Sequence, residues 1–341
     1  MLPTSNRLGR GIHELDLCEE AMTHQLASLS RDARVGLLYP GEMGTAVANL
    51  LRHDYHVVTT LAGRGATTAG NCRKAGLEEV DNLREVVGSA ETLLVLVPPA
   101  AALEVAQQVR KELPARTCGD RLVYVDLNSV SPATVQNVAA LFTGMPVDFV
   151  DGAISGPASR LATGCTLYLS GMRAEEVAEL FEGKMAVRVL GDAPGQASAL
   201  RMLLSGLTKG VIALFVEMAL AARQAGILDR TLAAYRASYP GIMEVVDRTL
   251  PTYPAHAARR AQEMVEVENT LVHLGLCPTV IQSIRQLSET VAGCSLPGGP
   301  GKPWTVPEVI EELHTQGVLK RSGEVSSPGN VPPLPSSKGV A

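Results

Sequence analysis

The stretch ARVGLLYPGEMGTAVANLL, residues 33–51, decides the fold. It opens with an apolar run of strand length, Val35–Tyr39. A glycine turn follows at Pro40-Gly41-Glu42-Met43-Gly44, and a helical pattern sets in near Glu42. A strand, a tight turn and a helix in this order meet two demands of a dinucleotide loop. Backbone must approach a pyrophosphate closely, and the helix must pack close on its strand. Gly41 and Gly44 take the second and third positions of G-x-G-x-x-G, whereas the first is Tyr39. The free N–H groups of a helix begun here would point at phosphates. Taken alone, the segment also reads as a strand-to-helix turn that needs two glycines and binds nothing.

Outward from this segment the same alternation continues. Strand-length apolar runs stand at His56–Leu61, Thr92–Val97, Leu122–Leu127, Asp148–Val150, Thr166–Ser170 and Val187–Leu190. Helical stretches lie between them, at Thr67–Ala75, Ala101–Lys111, Thr134–Leu141 and Ala174–Phe181. Continuous apolar strands alternating with helices predict a parallel sheet covered on both faces. After Pro194 the pattern changes: Gln196–Ala225 holds no proline and is rich in Ala, Leu and Met, as one long buried helix would be. Further helices are expected at 229–237, 241–249, 255–274, 278–292 and 306–315. This divides the chain into an α/β domain over 33–194 and a helical domain over 195–320. Residues 1–32 read as an extension, 296–307 as a Gly/Pro loop, and the Ser/Pro/Gly-rich end from 321 as a disordered tail.

Composition narrows the function classes. With 46% hydrophobic residues in 341, the chain has material for about two folded domains. Aromatics are 4% and the net charge is −5, which argues against a base-stacking or phosphate-backbone surface and so against nucleic acid. The six cysteines, at 18, 72, 118, 165, 277 and 294, form no C-x-x-C pair and read as reduced cytosolic thiols. No run approaches the ~20 uninterrupted apolar residues of a membrane span, and the first residues lack the apolar core of a secretory signal. No His pair at i, i+4 and no carboxylate cluster suggests a metal. The expectation is a cytoplasmic protein acting on a small molecule, without membrane, nucleic acid or metal.

The end of the second strand bears on the cofactor. An NAD site usually has an Asp or Glu there to bind the ribose hydroxyls. The segment VVTTLAGRGATT, 57–68, has no acid but carries Arg64 with Thr60, Thr67 and Thr68 nearby. A guanidinium and hydroxyls suit a 2′-phosphate that a carboxylate would repel, so NADP(H) is expected with Arg64 as its phosphate ligand. A solvated loop arginine is the alternative.

Four segments then fall in a telling order. They are the turn Tyr39–Gly44, the strand end Val97-Pro98-Pro99, the loop Asp126-Leu127-Asn128-Ser129-Val130-Ser131-Pro132, and Asp151-Gly152-Ala153-Ile154-Ser155-Gly156-Pro157. This succession resembles the β-hydroxyacid dehydrogenase superfamily, which includes 6-phosphogluconate and 3-hydroxyisobutyrate dehydrogenases. The first, third and fourth segments match its G-L-G-x-M-G, D-x-S-T-x-x-P and D-A-P-V-S-G-G patterns. The stretches ASALRMLLSGLTKG and HAARRAQEMVEVENTLVHLGL resemble a less-characterised branch with a distinct helical C-terminal domain. The resemblance implies a Rossmann-like NAD(P)-binding domain followed by an all-α domain, a homodimer, and an active site in the cleft between domains. It implies cofactor binding by Gly41, Glu42, Met43, Gly44, Arg64, Val97, Pro98 and Asn128, and substrate binding by Ser129, Ser155 and Gly156.

The proton-transfer lysine of the family is absent. In one register its place falls on Ala199 or Leu203; two residues further, Arg201 stands for it. Arginine does not release its proton in proteins, so Arg201 can only bind and orient an anionic substrate. Lys209 lies eight residues on, about two turns along nearly the same helix face. Burial or the neighbouring Arg201 would ease its proton loss, which makes it the candidate proton carrier; a structural or cofactor-contacting lysine is the alternative. Glu217, Tyr235, Tyr239 and His256 are further polar candidates that read more naturally as packing residues. Arg259, Glu263 and Glu266 read as a surface helix with i, i+4 pairs, or as part of a pocket wall. The leading expectation is an NADP(H)-dependent oxidoreductase acting on a hydroxyl or carbonyl of a small hydroxyacid. The missing lysine keeps open an imine reductase on the same scaffold, and a cofactor-binding protein with impaired catalysis.

Overall fold

The computed structural model describes residues 33–116, 121–294 and 304–320. The expected extension 1–32, the tail from 321, residues 296–303 of the Gly/Pro loop, Cys18 and Cys118 lie outside them. The strands are β1 (Arg34–Leu38), β2 (His56–Thr60), β3 (Glu78–Val80), β4 (Thr92–Val95), β5 (Leu122–Asp126), β6 (Val147–Ser155), β7 (Thr166–Ser170) and β8 (Ala186–Gly191). They form one sheet in the order β3-β2-β1-β4-β5-β6-β7-β8. Every pairing is parallel except β6 with β7. The order reverses between β1 and β4, whose ends meet in register at Leu38 and Val95. In open α/β sheets ligands bind in the crevice outside the strand ends at such a point.

The period-two alternation of each strand feeds two cores. Val35, Leu37, Leu94, Val123 and Val125 face one, with Val47, Ala48 and Leu51 of helix α1 (Glu42–Leu51) packed on them. Leu38, Leu93, Val95, Leu122 and Tyr124 face the other. This second face is covered by α3 (Leu83–Ser89) and α4 (Ala102–Glu112), numbered after α2 (Ala66–Ala75), and by Val138 of α5 (Pro132–Ala140). Coverage of both faces is why these strands read as continuous apolar runs.

Strand β3 and helices α3 and α6 (Leu161–Gly164) are new relative to the sequence pattern. Strand β3, Glu-Glu-Val, is three residues at the sheet edge, too short and too polar for an alternation signal. Helix α3 spans seven residues and is started by Asn82, whose side chain accepts the Glu85 N–H. Strand β6 is also longer than the expected Asp148–Val150, because the buried Asp151 and Gly152 interrupt its apolar run. Short α6 (Leu161–Gly164) and α7 (Ala174–Glu179) flank β7.

The remaining helices are α8 (Gln196–Gln224), α9 (Leu228–Ser238), α10 (Pro240–Thr249), α11 (Ala257–His273), α12 (Thr279–Ala292) and α13 (Val306–Thr315). By length and composition α8 is apolar enough to cross a membrane, although it carries Arg201, Lys209, Glu217 and Arg223 and 44% of its most apolar window is buried. The chain forms two compact units. Of the described residues, one takes those up to Ser205 with Glu266–Pro278, and the other takes Gly206–Val265 and those from Thr279 on. In the second unit Met243, Val246, Leu250, Tyr253, Met264, Val309, Ile310 and Leu313 are buried. Helix α13 is opened by a reciprocal cap in which the Thr305 hydroxyl accepts the Glu308 N–H and the Glu308 carboxylate accepts the Thr305 N–H.

Candidate functional site

The two glycines of the first turn do different jobs. A Cβ on Gly44 would sit 2.4 Å from the Tyr39 carbonyl oxygen, so this position must be glycine for α1 to pack against the end of β1. A Cβ on Gly41 would meet nothing within 4 Å. Gly41 is the N-cap of α1 without a side-chain cap, so first-turn N–H groups lack that partner while the outer face of the loop is open. Glu42 is exposed at the helix start, and Met43 packs its side chain against the core. Tyr39 is buried, its carbonyl accepts the Gly41 N–H at 2.8 Å, and burial pushes its phenol pKa up against the lowering influence of Arg64.

After β2 the chain reverses in a turn closed by the Arg64 N–H to Leu61 O at 2.8 Å. Gly63, with φ +71°, supplies the left-handed conformation that the turn needs. This brings the Arg64 guanidinium over the Tyr39 ring, 4.3 Å from its centroid. Thr60 is buried and its hydroxyl accepts the Ala62 N–H, whereas Thr67 and Thr68 stand in the first turn of α2. That turn has no acidic residue, and its N-cap, Gly65, offers no side chain to the free N–H groups. The local field therefore favours an anion.

At the end of β5 a second loop is pinned from several sides. The Val97 N–H donates to Asn128 Oδ1 at 2.6 Å, and the Asn128 N–H donates to Asp126 Oδ1 at 2.9 Å. This ties Val97, the residue before Pro98, to Asn128 at the ends of neighbouring strands. Asn128 Nδ2 and Ser129 Oγ are buried and, among the described residues, have no hydrogen-bond partner. A buried donor without a partner is costly, so these two atoms fit a polar ligand that would complete them. Asp126 is fully buried, and its carboxyl is pushed up to about 7 by that burial, against the lowering effect of the Asn128 N–H.

The third piece is the end of β6. Gly156 has φ +128°, and a Cβ there would lie 2.5 Å from Cys165 Sγ, so both conformation and space demand glycine. Arg201 donates from Nε to Ile154 O at 3.2 Å, which ties its side chain to the backbone just before Ser155. Asp151 fastens the start of α8 to this strand. Its carboxylate accepts the Gly195 and Ser198 N–H groups at 2.9 and 3.0 Å and the Ser198 hydroxyl at 2.6 Å. Desolvation still raises its pKa, with these hydrogen bonds acting to lower it.

Two carboxylates that the sequence reads as surface charges are something else. Glu266 accepts the Ser131 N–H at 2.7 Å and the Thr134 hydroxyl at 3.3 Å, at the start of α5 and next to Asn128 and Ser129. Glu263 is 13% exposed and binds Lys209 Nζ at 2.7 Å, with Arg259 3.8 Å from its other oxygen. The i, i+4 pair with Arg259 exists, but the main partner is Lys209, whose side chain is also 13% exposed. In the same unit Arg260 is buried over the Tyr253 ring at 4.7 Å, and the Tyr253 hydroxyl meets Ser288 Oγ at 2.9 Å. Tyr235 packs its ring between Phe215 and Tyr239, while Glu217 and His256 are exposed. Among the described residues no three His, Cys, Asp or Glu gather as a metal would require.

A parallel sheet that reverses its strand order beside an open glycine turn is the architecture of a dinucleotide-binding protein. Comparison with known families narrows this class. Residues 34–189 match the NAD binding domain of 6-phosphogluconate dehydrogenase, and residues 222–291 match a domain of unknown function, DUF1932. The chain belongs to the β-hydroxyacid dehydrogenase superfamily, in the branch that joins these two domains. It is 32% identical to a conserved protein whose structure is described as similar to 3-hydroxyacid dehydrogenases, covering 77% of this chain and all of that one, with a TM-score of 0.61. An uncharacterised 28.5 kDa protein of Methanothermus fervidus is 25% identical over 262 residues, 76% of this chain and 100% of its own length. The 3-hydroxyisobutyrate dehydrogenase of Mycobacterium tuberculosis shares the fold, with a TM-score of 0.64 at 17% identity over 83% of this chain and 99% of that one.

Proposed function

We propose that this protein is an NADP(H)-dependent oxidoreductase that interconverts the hydroxyl and carbonyl forms of a small hydroxyacid. The observation that carries the reading is the pair of buried, unpartnered atoms, Asn128 Nδ2 and Ser129 Oγ, at the strand end beside an open glycine turn. When bound, the cofactor supplies or accepts a hydride at nicotinamide C4. The first-turn N–H groups of α1, with Gly41 and Gly44 around them, hold its diphosphate. Arg64 and the start of α2 hold the 2′-phosphate, and Val97, Pro98 and Asn128 line the nicotinamide. Ser129, Ser155 and Gly156 bind the substrate, and Arg201 orients its carboxylate by a charge-assisted contact. Lys209 carries the proton: as the ammonium held by Glu263 it is the donor when a carbonyl is reduced. In the reverse direction the neutral amine left by that donation takes the proton back, with Glu263 holding the ammonium that re-forms.

One observation favours a second reading, imine reduction. The ammonium of Lys209 is engaged by Glu263, and the place of the family lysine is Arg201. An iminium carries its own proton and needs no lysine. Turnover of 3-hydroxyacids with NADP and of cyclic imines with NADPH separates the readings. Activity on the acids alone supports the first, activity on imines alone replaces it with the second, and no calorimetric binding of NADPH or NADH removes both.

In the same proposal the cofactor domain is 33–194 and the substrate and dimerisation domain 195–320. The protein works in the cytoplasm as a homodimer, on small molecules rather than nucleic acid or membrane. Exposed Leu207, Leu214 and Met218, spaced along α8, support the homodimer. Sedimentation of the purified chain tests it, and a monomer at micromolar concentration would remove that part.

A further inference from the structure

Tyr39 stands where the glycine pattern has its first glycine, and its side chain is 7% exposed. The Arg64 guanidinium lies over that ring, with its carbon 4.3 Å from the centroid. Among the described residues the Arg64 side chain makes no hydrogen bond or ion pair, so its N–H donors are unspent. A guanidinium stacked on a ring uses its face, which leaves the donors at its edge available to a ligand. The turn at Gly63 and the stack on Tyr39 together fix a long side chain that would otherwise sample many rotamers from an exposed loop.

We propose that Tyr39 is a specificity-determining residue, whose ring holds the Arg64 guanidinium in place for the 2′-phosphate of the cofactor. The inference rests on the NADP(H) reading of this site. Ordering Arg64 before the ligand arrives removes part of the entropy cost of binding, and only for a ligand that carries the phosphate. A glycine at 39 would leave the arginine unsupported. The surroundings agree: no acid lies between residues 57 and 68, and the first turn of α2 has none. Burial raises the Tyr39 phenol, which keeps the ring neutral beneath the cation.

Calorimetry of the full chain with NADPH, NADH and adenosine 2′,5′-bisphosphate tests the proposal without any turnover. Tyr39→Phe keeps the ring and should keep the wild-type ratio of NADPH to NADH affinity. Tyr39→Leu keeps most of the volume but not the ring. It should lower that ratio on the order of threefold to fivefold, through NADPH and the bisphosphate, with NADH affinity unchanged. Arg64→Lys, at an exposed position, keeps the charge but loses the flat stack and should also lower the ratio. Arg64→Ala should abolish it. An unchanged ratio in Tyr39→Leu, or equal losses for both cofactors, overturns the role of Tyr39 while the Arg64→Ala result leaves the NADP(H) reading standing. If Tyr39→Leu does not fold, an unchanged ratio in Arg64→Lys overturns it instead. A wild type that binds both cofactors alike, or an unaltered ratio in Arg64→Ala, overturns the NADP(H) reading and this inference with it.

Discussion

The strand ends of the first unit and the helices of the second treat polar groups in opposite ways. At the strand ends, among the described residues, Asn128 Nδ2 and Ser129 Oγ are buried without partners and the Arg64 guanidinium makes only a ring stack. In the helical unit several charged groups are matched within the protein: Lys209 with Glu263, Arg223 with Glu311, Arg236 with Asp247. Arg260 differs from these pairs: among the described residues its buried Nη1 has no partner, and desolvation lowers its pKa. Unspent donors cost stability unless something binds to them. The contrast teaches where a ligand is needed to complete the protein, and it singles out Lys209–Glu263 as the internal pair that must open or relay if it takes part in chemistry.

The largest effect on turnover is expected at that pair. Lys209→Met should lower carbonyl reduction by a factor of roughly a hundred or more, the scale of a lost general acid. It also leaves the Glu263 carboxylate 13% exposed without its main partner, a loss of about 3 kcal/mol in urea denaturation. Adding Glu263→Gln should recover most of that stability and none of the turnover. Near-normal turnover in the stable double variant would remove Lys209 from the reaction and leave the pair purely structural, which would favour the imine reading.

Asp126 sharpens the other side of the contrast. Its carboxyl is raised from 3.8 to about 7, so the folded state holds a proton that the unfolded chain has already released. Stability from this group is therefore full below about pH 4 and is lost as pH rises toward 7, by up to about 4 kcal/mol. Asp126→Asn should flatten that part of the profile and be more stable than wild type at pH 8. Unfolding curves at pH 4, 6 and 8 check this; identical slopes for both proteins would mean that Asp126 is ionised in the fold.

These two regions also differ in what sequence alone discloses. The β1 turn and α1 are legible because strand and helix periods adjoin across two glycines within twelve residues, Val35 to Ala46. The same holds for α8, where thirty residues without proline leave few alternatives. The tethers are not legible, because they join residues far apart in the chain. Asp151 reaches Gly195 and Ser198 across 44 and 47 residues, and Glu266 reaches Ser131 across 135. An acid inside an apolar strand is a signal that Asp151 does carry, since burial without hydrogen bonds would be prohibitive. Glu266 carries none, as Arg259-x-x-x-Glu263-x-x-Glu266 is also the pattern of an exposed helix. Tyr39 misleads in the opposite direction: it looks like a flaw in the glycine pattern until Arg64 is found on its ring.

Glu266 gives an intermediate effect. Glu266→Ala removes the acceptor for the Ser131 N–H and the Thr134 hydroxyl, and should cost about 2 kcal/mol. Glu266→Gln keeps one acceptor and should cost about half of that. If the loop beside Asn128 depends on this tether, NADPH affinity falls in the same order. Unaltered affinity in Glu266→Ala would confine the tether to stability.

The smallest change in stability, and the sharpest test of the open turn, is at Gly41. Alanine there enters free space at a φ of −70°, which any residue adopts, so the fold should lose only a few tenths of a kcal/mol at this N-cap. Gly44→Ala differs by one methyl in the same turn but drives it to 2.4 Å from the Tyr39 carbonyl oxygen, and should destabilise by about 3 kcal/mol. Both methyls would act on the cofactor, but only Gly41→Ala would do so in an otherwise intact protein. There the methyl occupies the face that the diphosphate is proposed to approach, and affinity for NADPH and NADH should drop together by about tenfold. A Gly41→Ala protein with wild-type melting and wild-type affinity for both cofactors would mean that this face is open for some reason other than a dinucleotide.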